Sequence, residues 1–227
     1  MGILQMNQLT KDFKLGDVEE NVLKGIDLTL NKGEVTALSG ASGSGKSTLL
    51  TIAAGLQSAT DGSIYFNGEN LTAMKQDDIR KIRAEQFGFI FQSSHLVPFL
   101  RVKEQLLLML DVARSPLQKK EKQKQVDHIL QRVGMEHRKD AYPSSLSGGE
   151  KQRVAVARAI IHQPKMLFTD EPTASLDSKR SREVMELIRE LTKTLSVTTL
   201  LVTHEEEMLA YADRIVTMKD GAIENTA

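Results

Sequence analysis

Cysteine and tryptophan are absent from this chain, aromatic residues make up only 4%, and Lys+Arg 30 against Asp+Glu 30 leave no formal net charge. Without cysteine there are no disulfides, no thiolate zinc sites and no cysteine nucleophile, which suits a reducing compartment. Without tryptophan, and with few other aromatics, there is little material for base-stacking platforms, and charge neutrality supplies no global field to recruit nucleic acid or an anionic bilayer. No apolar run approaches the roughly 20 residues of a membrane span. The opening residues Met1-Gly2-Ile3-Leu4-Gln5-Met6 lack a basic region and a long apolar run, so no signal peptide is read there, and Met6 stands where myristoylation wants Ser or Thr. The expectation is a soluble cytosolic protein that binds no nucleic acid and meets a membrane only through a partner.

What is present is organised around Gly40-Ala41-Ser42-Gly43-Ser44-Gly45-Lys46-Ser47, which fits Gly, any four residues, Gly-Lys-Ser/Thr. A buried strand is expected before it at residues 35–38 and a helix after it at 48–53. Glycines let successive N–H groups point into one concavity, and the helix start adds unpaired N–H groups and a positive dipole end. Lys46 supplies a cation for the outer phosphates of a nucleotide, and Ser47 offers a hydroxyl to Mg²⁺. A chance glycine-serine loop is the alternative, and the strand–loop–helix setting weighs against it.

Upstream, residues 3–9 alternate loosely and read as an edge-type strand, residues 10–21 as a polar segment punctuated by Gly16-Asp17, and residues 26–30 as a second strand. Residues 63–66 and the Asn67-Gly68 turn complete an expected antiparallel layer. Residues 77–85 read as a charged helix and 87–91 as a buried strand. Helices follow at 102–113, from Ser115-Pro116 to Gly134, and from Ser147 to about His162. The lysines at 119, 120, 122 and 124 read as a solvated helix face. Strand and helix then alternate to the end: 166–169, 178–192, 197–202, a short helix, 214–218 and the Asp220-Gly221 hairpin. The fold class is therefore α/β, a P-loop core with a mainly parallel sheet, an N-terminal antiparallel β layer and an inserted α-helical subdomain. The chain reads as a single domain over 1–227, with core segments 1–92 and 159–227 around a helical stretch at 93–158.

Asp170-Glu171 ends an apolar strand, where carboxylates reach the crevice in which α/β sheets bind ligands. Asp170 is placed to hold hydrated Mg²⁺ and Glu171 to polarise the attacking water; a turn cap before Pro172 is the alternative, and the P-loop upstream weighs against it. Ser147 and Glu150 make a capping box by themselves, but Gly148 and Gly149 between them weaken a helix and suit a second phosphate surface. Two phosphate sites and one nucleotide suggest that the second site serves another copy of the chain.

These residues resemble the ATP-binding subunits of ABC transporters. Residues 40–48, Thr48 included, are similar to the Walker A loop, 166–171 to Walker B, and 146–150 to the signature motif. Gln92 matches the Q-loop glutamine, residues 174–177 the D-loop, His204 the switch histidine, and Phe13 an aromatic residue that stacks on adenine. The motifs cover the chain in order. The resemblance implies a head-to-tail homodimer in which Ser147, Gly148 and Gly149 contact the γ-phosphate held by the opposite subunit. It implies that Gln92 joins Ser47 and Asp170 near Mg²⁺, that His204 orients the γ-phosphate and water, and that Asp177 belongs to the nucleotide site. Thr203 with Glu206 offers a capping-box reading of His204, and Asp177 an N-cap reading. Glu150 departs from the usual glutamine of the signature and is expected to face its own helix start.

Within the superfamily the chain resembles the macrolide-export, lipoprotein-release and bacitracin-resistance group, and residues 88–98 are similar to hemin-efflux ATPases. That resemblance implies a separate membrane permease docking near Phe91 to Leu100, where Leu96, Val97, Phe99 and Leu100 surround Pro98, and a location on the inner face of the cell membrane. His95 reads as a solvent-facing loop residue rather than a heme ligand. A chromosome-maintenance ATPase would need a coiled-coil or zinc insertion, a ribosome-associated factor a second cassette, and a P-loop kinase would lack residues 146–149.

Overall fold

The strand before the glycine-rich loop, β3 (Val35–Ser39), is buried from Val35 to Leu38, as a parallel strand covered on both faces must be. The computed structural model describes residues 2–15 and 18–226, so the Gly16-Asp17 punctuation lies outside the described residues. Beside β3 run β6 (Phe87–Phe91), β7 (Met166–Asp170), β8 (Thr198–Val202) and β9 (Arg214–Lys219), all parallel, with β10 (Ala222–Thr226) antiparallel to β9. The sheet order is β10-β9-β3-β8-β7-β6. Alternation shows in the packing: Phe168 and Leu200 face one hydrophobic core, while Leu167 and Leu201 face the other.

A second, antiparallel sheet of order β2-β1-β4-β5 comprises β1 (Gly2–Leu15), β2 (Val18–Asn31), β4 (Asp61–Phe66) and β5 (Glu69–Asn70). One expectation is corrected here. Strand β1 is not an edge: it is paired on both sides, with Leu4 opposite Leu30 and opposite Phe66. Alternation reports which face is buried and says nothing about lateral neighbours. The described residues of the polar stretch 10–21 are strand, paired across β1 and β2 with Asp12 opposite Asn21 and Phe13 opposite Glu20. Its polarity reflects a ribbon that has run past the core. The sheets meet through an edge-to-face aromatic series, Phe66–Phe87 at 4.9 Å and Phe87–Phe168 at 5.1 Å.

Helix α1 (Lys46–Ala53) follows the glycine-rich loop and α2 (Gln76–Gln86) precedes β6. Among the described residues, everything between β6 and β7 is helix, turn or loop: α3 (Val102–Val112), α4 (Lys119–Arg132), short 3₁₀ turns at Glu136–Arg138 and Pro143–Ser145, and α5 (Gly148–Ile160). Helix α4 begins at Lys119, not at Ser115-Pro116, because Glu121 accepts the Gln118 N–H at 2.8 Å and caps it there. Its inward face is Val126, Ile129 and Leu130. Helices α6 (Ser178–Leu195) and α7 (Glu206–Leu209) complete the chain. Among the described residues no helix is long and apolar enough to cross a membrane.

Asp213 fixes the start of β3. Its Oδ2 accepts from the Val35 N–H at 2.8 Å and from Lys193 Nζ at 2.6 Å. Burial opposes ionisation, but the Lys193 and Val35 hydrogen bonds outweigh it and hold the carboxyl below its usual value of 3.8. A depressed carboxylate stabilises the fold above its unfolded pKa and loses that contribution as pH falls through the folded one. The urea midpoint of the unmodified protein should therefore exceed that of Asp213→Asn near neutrality, with the gap closing below pH 3.8.

Candidate functional site

The loop between β3 and α1 can form only where two glycines stand. At Gly40 (φ 142°) an added Cβ would run into the Met218 carbonyl oxygen, and at Gly45 (φ 97°) it would lie 3.0 Å from Val22 O and Leu23 Cδ2. The loop thus curls beneath β9 and β2. Helix α1 starts two residues earlier than the pattern suggested, at Lys46, so Lys46 and Ser47 stand on its first turn. Lys46 is only 6% exposed, and its Nζ donates to Gly40 O at 2.8 Å, Ala41 O at 2.7 Å and Ser44 Oγ at 3.4 Å. Burial lowers its pKa, while Glu171 and Asp170 act in the opposite sense. The loop carbonyls stand in for an anion by satisfying the ammonium.

Strand β7 delivers Asp170 to the same place: Ser47 Oγ donates to its Oδ1 at 3.1 Å. Burial, reinforced by Glu171, raises the Asp170 pKa against the pull of Ser47 and Lys46. The chain then turns sharply, for Glu171 has φ 46°, a left-handed conformation costing a non-glycine residue about 1–3 kcal/mol. The turn is held by the Glu171 N–H donating to Val202 O at 2.9 Å, and it aims the carboxylate into the cleft. There His204 Nδ1 lies 2.7 Å from Glu171 Oε1. The capping box that Thr203 and Glu206 offered as the alternative reading of His204 does not form. Thr203 Oγ1 accepts from the Glu205 N–H at 3.1 Å, and Glu205, not Thr203, precedes α7, which leaves His204 outside the helix.

The cleft has a volume of about 780 Å³ and is lined by Gly40, Ala41, Ser42, Gly43, Gly45, Lys46, Ser47, Thr48, Glu171 and His204, together with Glu20, Val22, Ser39 and Glu206. The last four carry no sequence signal for a phosphate site. Glu20 and Val22 arrive on β2 from more than fifteen residues upstream, tied in by Lys24 N–H donating to Gly221 O at 2.8 Å. One lysine therefore faces three carboxylates across the lining, so a polyphosphate entering it needs a further cation. Mg²⁺ fits the donor set: Ser47 Oγ and Asp170 Oδ1 are hard oxygen ligands already adjacent. Among the described residues no cluster of three His, Asp or Glu side chains could hold a metal alone. Two protein oxygens completed by phosphate and water are what Mg²⁺ takes.

The remaining sequence candidates lie elsewhere. Phe13 is half-buried on β1, with Lys11 Nζ 5.1 Å from its ring centroid, and does not line the cleft. Gln92 and Gly148 instead share a second, open hollow of about 470 Å³ with Gln152 and Ser175. Ser147 caps α5, accepting from the Glu150 N–H at 3.3 Å, while the Ser147 N–H donates to Glu150 Oε2 at 2.8 Å. An added Cβ at Gly149 would lie 3.1 Å from Arg180 Cδ, whereas at Gly148 the nearest atom is Leu176 Cδ2 at 3.5 Å. Gly149 thus has a packing reason, and Gly148 leaves its backbone bare to solvent. Asp177 caps α6 by accepting from the Arg180 N–H at 3.0 Å, the bond that chiefly lowers its pKa. In residues 91–100 the expected apolar cluster is reduced to one exposed large side chain, Phe99 at 75%. Leu96 packs on the helical core, and the buried Gln105 amide accepts from Val97 N at 3.1 Å and donates to Val97 O at 2.7 Å and Leu100 O at 3.0 Å. His95 is exposed, its ring meeting Phe91 edge-on at 5.7 Å.

With this geometry established, similarity to known proteins can be stated. The ABC transporter family matches residues 23–174. A protein of Staphylococcus haemolyticus that carries the name hemin import ATP-binding protein HrtA is 46% identical over 97% of this chain and 99% of its own length. Its namesake in Staphylococcus aureus strain MRSA252 is 45% identical over 97% and 98%. Among solved structures, the ATP-binding cassette MJ0796, as a dimer in a post-hydrolysis state bound to ADP and Pi, superposes with a TM-score of 0.90 at 33% identity, covering 99% of this chain and 97% of that one.

Proposed function

The chain belongs to the ABC transporter family, as its ATP-binding and ATP-hydrolysing subunit, and from that premise we propose that two copies close head to tail on two ATP molecules to power a separate membrane permease. One observation carries this reading. Lys46, Ser47, Asp170, Glu171 and His204 converge on one cleft, while Ser147 and Gly148 lie outside it, exposed at the start of α5. Each chain thus holds two complementary half-sites, and only a second copy can join them.

In the joined site the N–H groups of residues 40–48 cradle the β- and γ-phosphates and Lys46 exchanges its loop carbonyls for phosphate oxygens. Ser47, Asp170 and Gln92 would hold Mg²⁺, which when bound neutralises phosphate charge. Glu171 accepts a proton from the attacking water, and His204, already hydrogen-bonded to it, orients water and γ-phosphate. The partner copy's Ser147 hydroxyl and its Gly148 and Gly149 N–H groups bind the γ-phosphate, Asp177 reaches across the same interface, and Phe13, on the hairpin that brings Val22 to the cleft, stacks on adenine. Residues 93–158 form the helical subdomain that moves against the core formed by 1–92 and 159–227.

The permease docks at the loop led by Phe99 and holds the protein at the inner face of the membrane. Phe99→Asp should abolish transport and permease co-purification while ATP binding stays within about twofold of the parent, since the side chain touches no nucleotide residue and surface changes of this kind are otherwise nearly neutral. Co-purification that survives this change would remove Phe99 from the interface.

The cargo we propose is hemin, after the names of the relatives. Those names read import, whereas the group that residues 88–98 resemble is an exporter, and efflux is the direction we adopt. Inside-out vesicles holding chain and permease decide it. ATP added outside should drive hemin into the lumen, and exclusion of hemin would mean import. Stimulation by bacitracin or a lipoprotein, but not by hemin, would reassign the cargo.

A further inference from the structure

A carboxylate one turn inside a phosphate-binding helix start is an electrostatic liability, and this chain has one at Glu150. Under the two-copy reading, on which this inference rests, the start of α5 receives the γ-phosphate of the other copy's ATP. The bare Gly148 backbone and the helix dipole attract it, and a free Glu150 carboxylate would repel it. Both oxygens already face a positively polarised partner. Oε2 accepts from the Ser147 N–H at 2.8 Å, and Oε1 lies 3.1 Å from Arg138 Nε. Arg138 is not part of α5. It stands on the 3₁₀ turn Glu136–Arg138, and its guanidinium is oriented from the other side by Nη2 donating to Ser145 O at 2.6 Å. The Ser147 N–H chiefly holds the Glu150 carboxyl below its usual range against burial, helped by the Ser147 hydroxyl and by Arg138 and His137. The Ser147 Oγ also accepts from the Glu150 N–H.

We infer that Arg138 is a positioning residue for ATP-driven pairing of two copies: it turns Glu150 back onto its own helix and cancels its charge, so that the start of α5 offers the incoming phosphate only donors. A glutamine at 150 would need no such counter-charge, so the requirement for Arg138 comes from the glutamate that this chain carries.

The test uses the full chain carrying Glu171→Gln, with Mg²⁺ and ATP, and reads the protein concentration at which half is dimeric. Arg138→Ala should raise that concentration about 10-fold, the order expected of an uncompensated like charge at an interface, and added NaCl should shrink the deficit. With Glu150→Gln also present, the same substitution should cost less than about twofold. ATP binding by dilute single chains should not change, since Arg138 does not line the cleft. Arg138→Gln keeps a donor for the Ser145 carbonyl while dropping the charge, and serves equally if the alanine variant does not fold. The inference is overturned if Arg138→Ala pairs like its parent. It is equally overturned if the loss is the same size beside Glu150→Gln, which would leave only the Ser145 bond. A Glu171→Gln parent that stays monomeric with ATP overturns the two-copy reading itself, and this inference with it.

Discussion

Replacing Glu171 by Gln should slow ATP turnover by roughly 10²–10⁴-fold, the contribution of a positioned general base, and leave the ATP-bound chains locked as a dimer. The amide is isosteric and retains an oxygen for His204 Nδ1, 2.7 Å away in the parent, so orientation survives while proton acceptance does not. The backbone asks nothing new either, because residue 171 keeps its left-handed φ of 46° and its N–H bond to Val202 O. Binding groups at residues 40–48 are untouched. Turnover measured beside size-exclusion chromatography with ATP checks both halves of the expectation. Turnover near the parent rate would remove Glu171 from the chemistry.

The second large effect divides one site between two chains. Lys46→Met removes a 6%-exposed ammonium from the phosphate position and should weaken ATP binding by roughly 30-fold to several-thousand-fold, as loss of one partner of a buried charge pair does. Ser147→Arg should abolish hydrolysis by blocking the opposite face while leaving the cleft of its own chain able to bind nucleotide. A mixture of the two variants contains dimers in which the intact loop of one chain faces the intact α5 start of the other. Hydrolysis should return in the mixture and in neither variant alone. If the mixture stays silent, each chain either works by itself or needs both sites intact, and ATP-dependent dimerisation of the separate variants distinguishes these.

How much was readable beforehand follows from the range over which each feature is encoded. The glycine-rich loop, the Ser147–Glu150 box and the Asp177 cap are satisfied within four to eight residues, so the chain spells them out locally. Asp170 and Glu171 were also visible, since a carboxylate pair after an apolar run has few other uses. Position within the antiparallel sheet was not visible. The alternation of Leu4 and Met6 is the same for an inner and an outer strand, and β1 proved to be paired on both sides. Glu20 and Val22 reach the cleft only because a long hairpin folds back over the loop. That relation exists in three dimensions and leaves no trace in local composition. The Thr203–Glu206 box, the alternative reading of His204, fails because Thr203 spends its hydroxyl oxygen on Glu205.

The amide of Gln105, 1% exposed, binds three backbone groups of the segment that ends in Phe99 and Leu100. Its mechanical meaning is that the loop has no slack. A slack loop would absorb a displacement at its tip, but this one is fastened to the first turn of α3. A displacement at Phe99 therefore pulls on α3 through these bonds. In that sense Gln105 is the rivet between the loop and the helix.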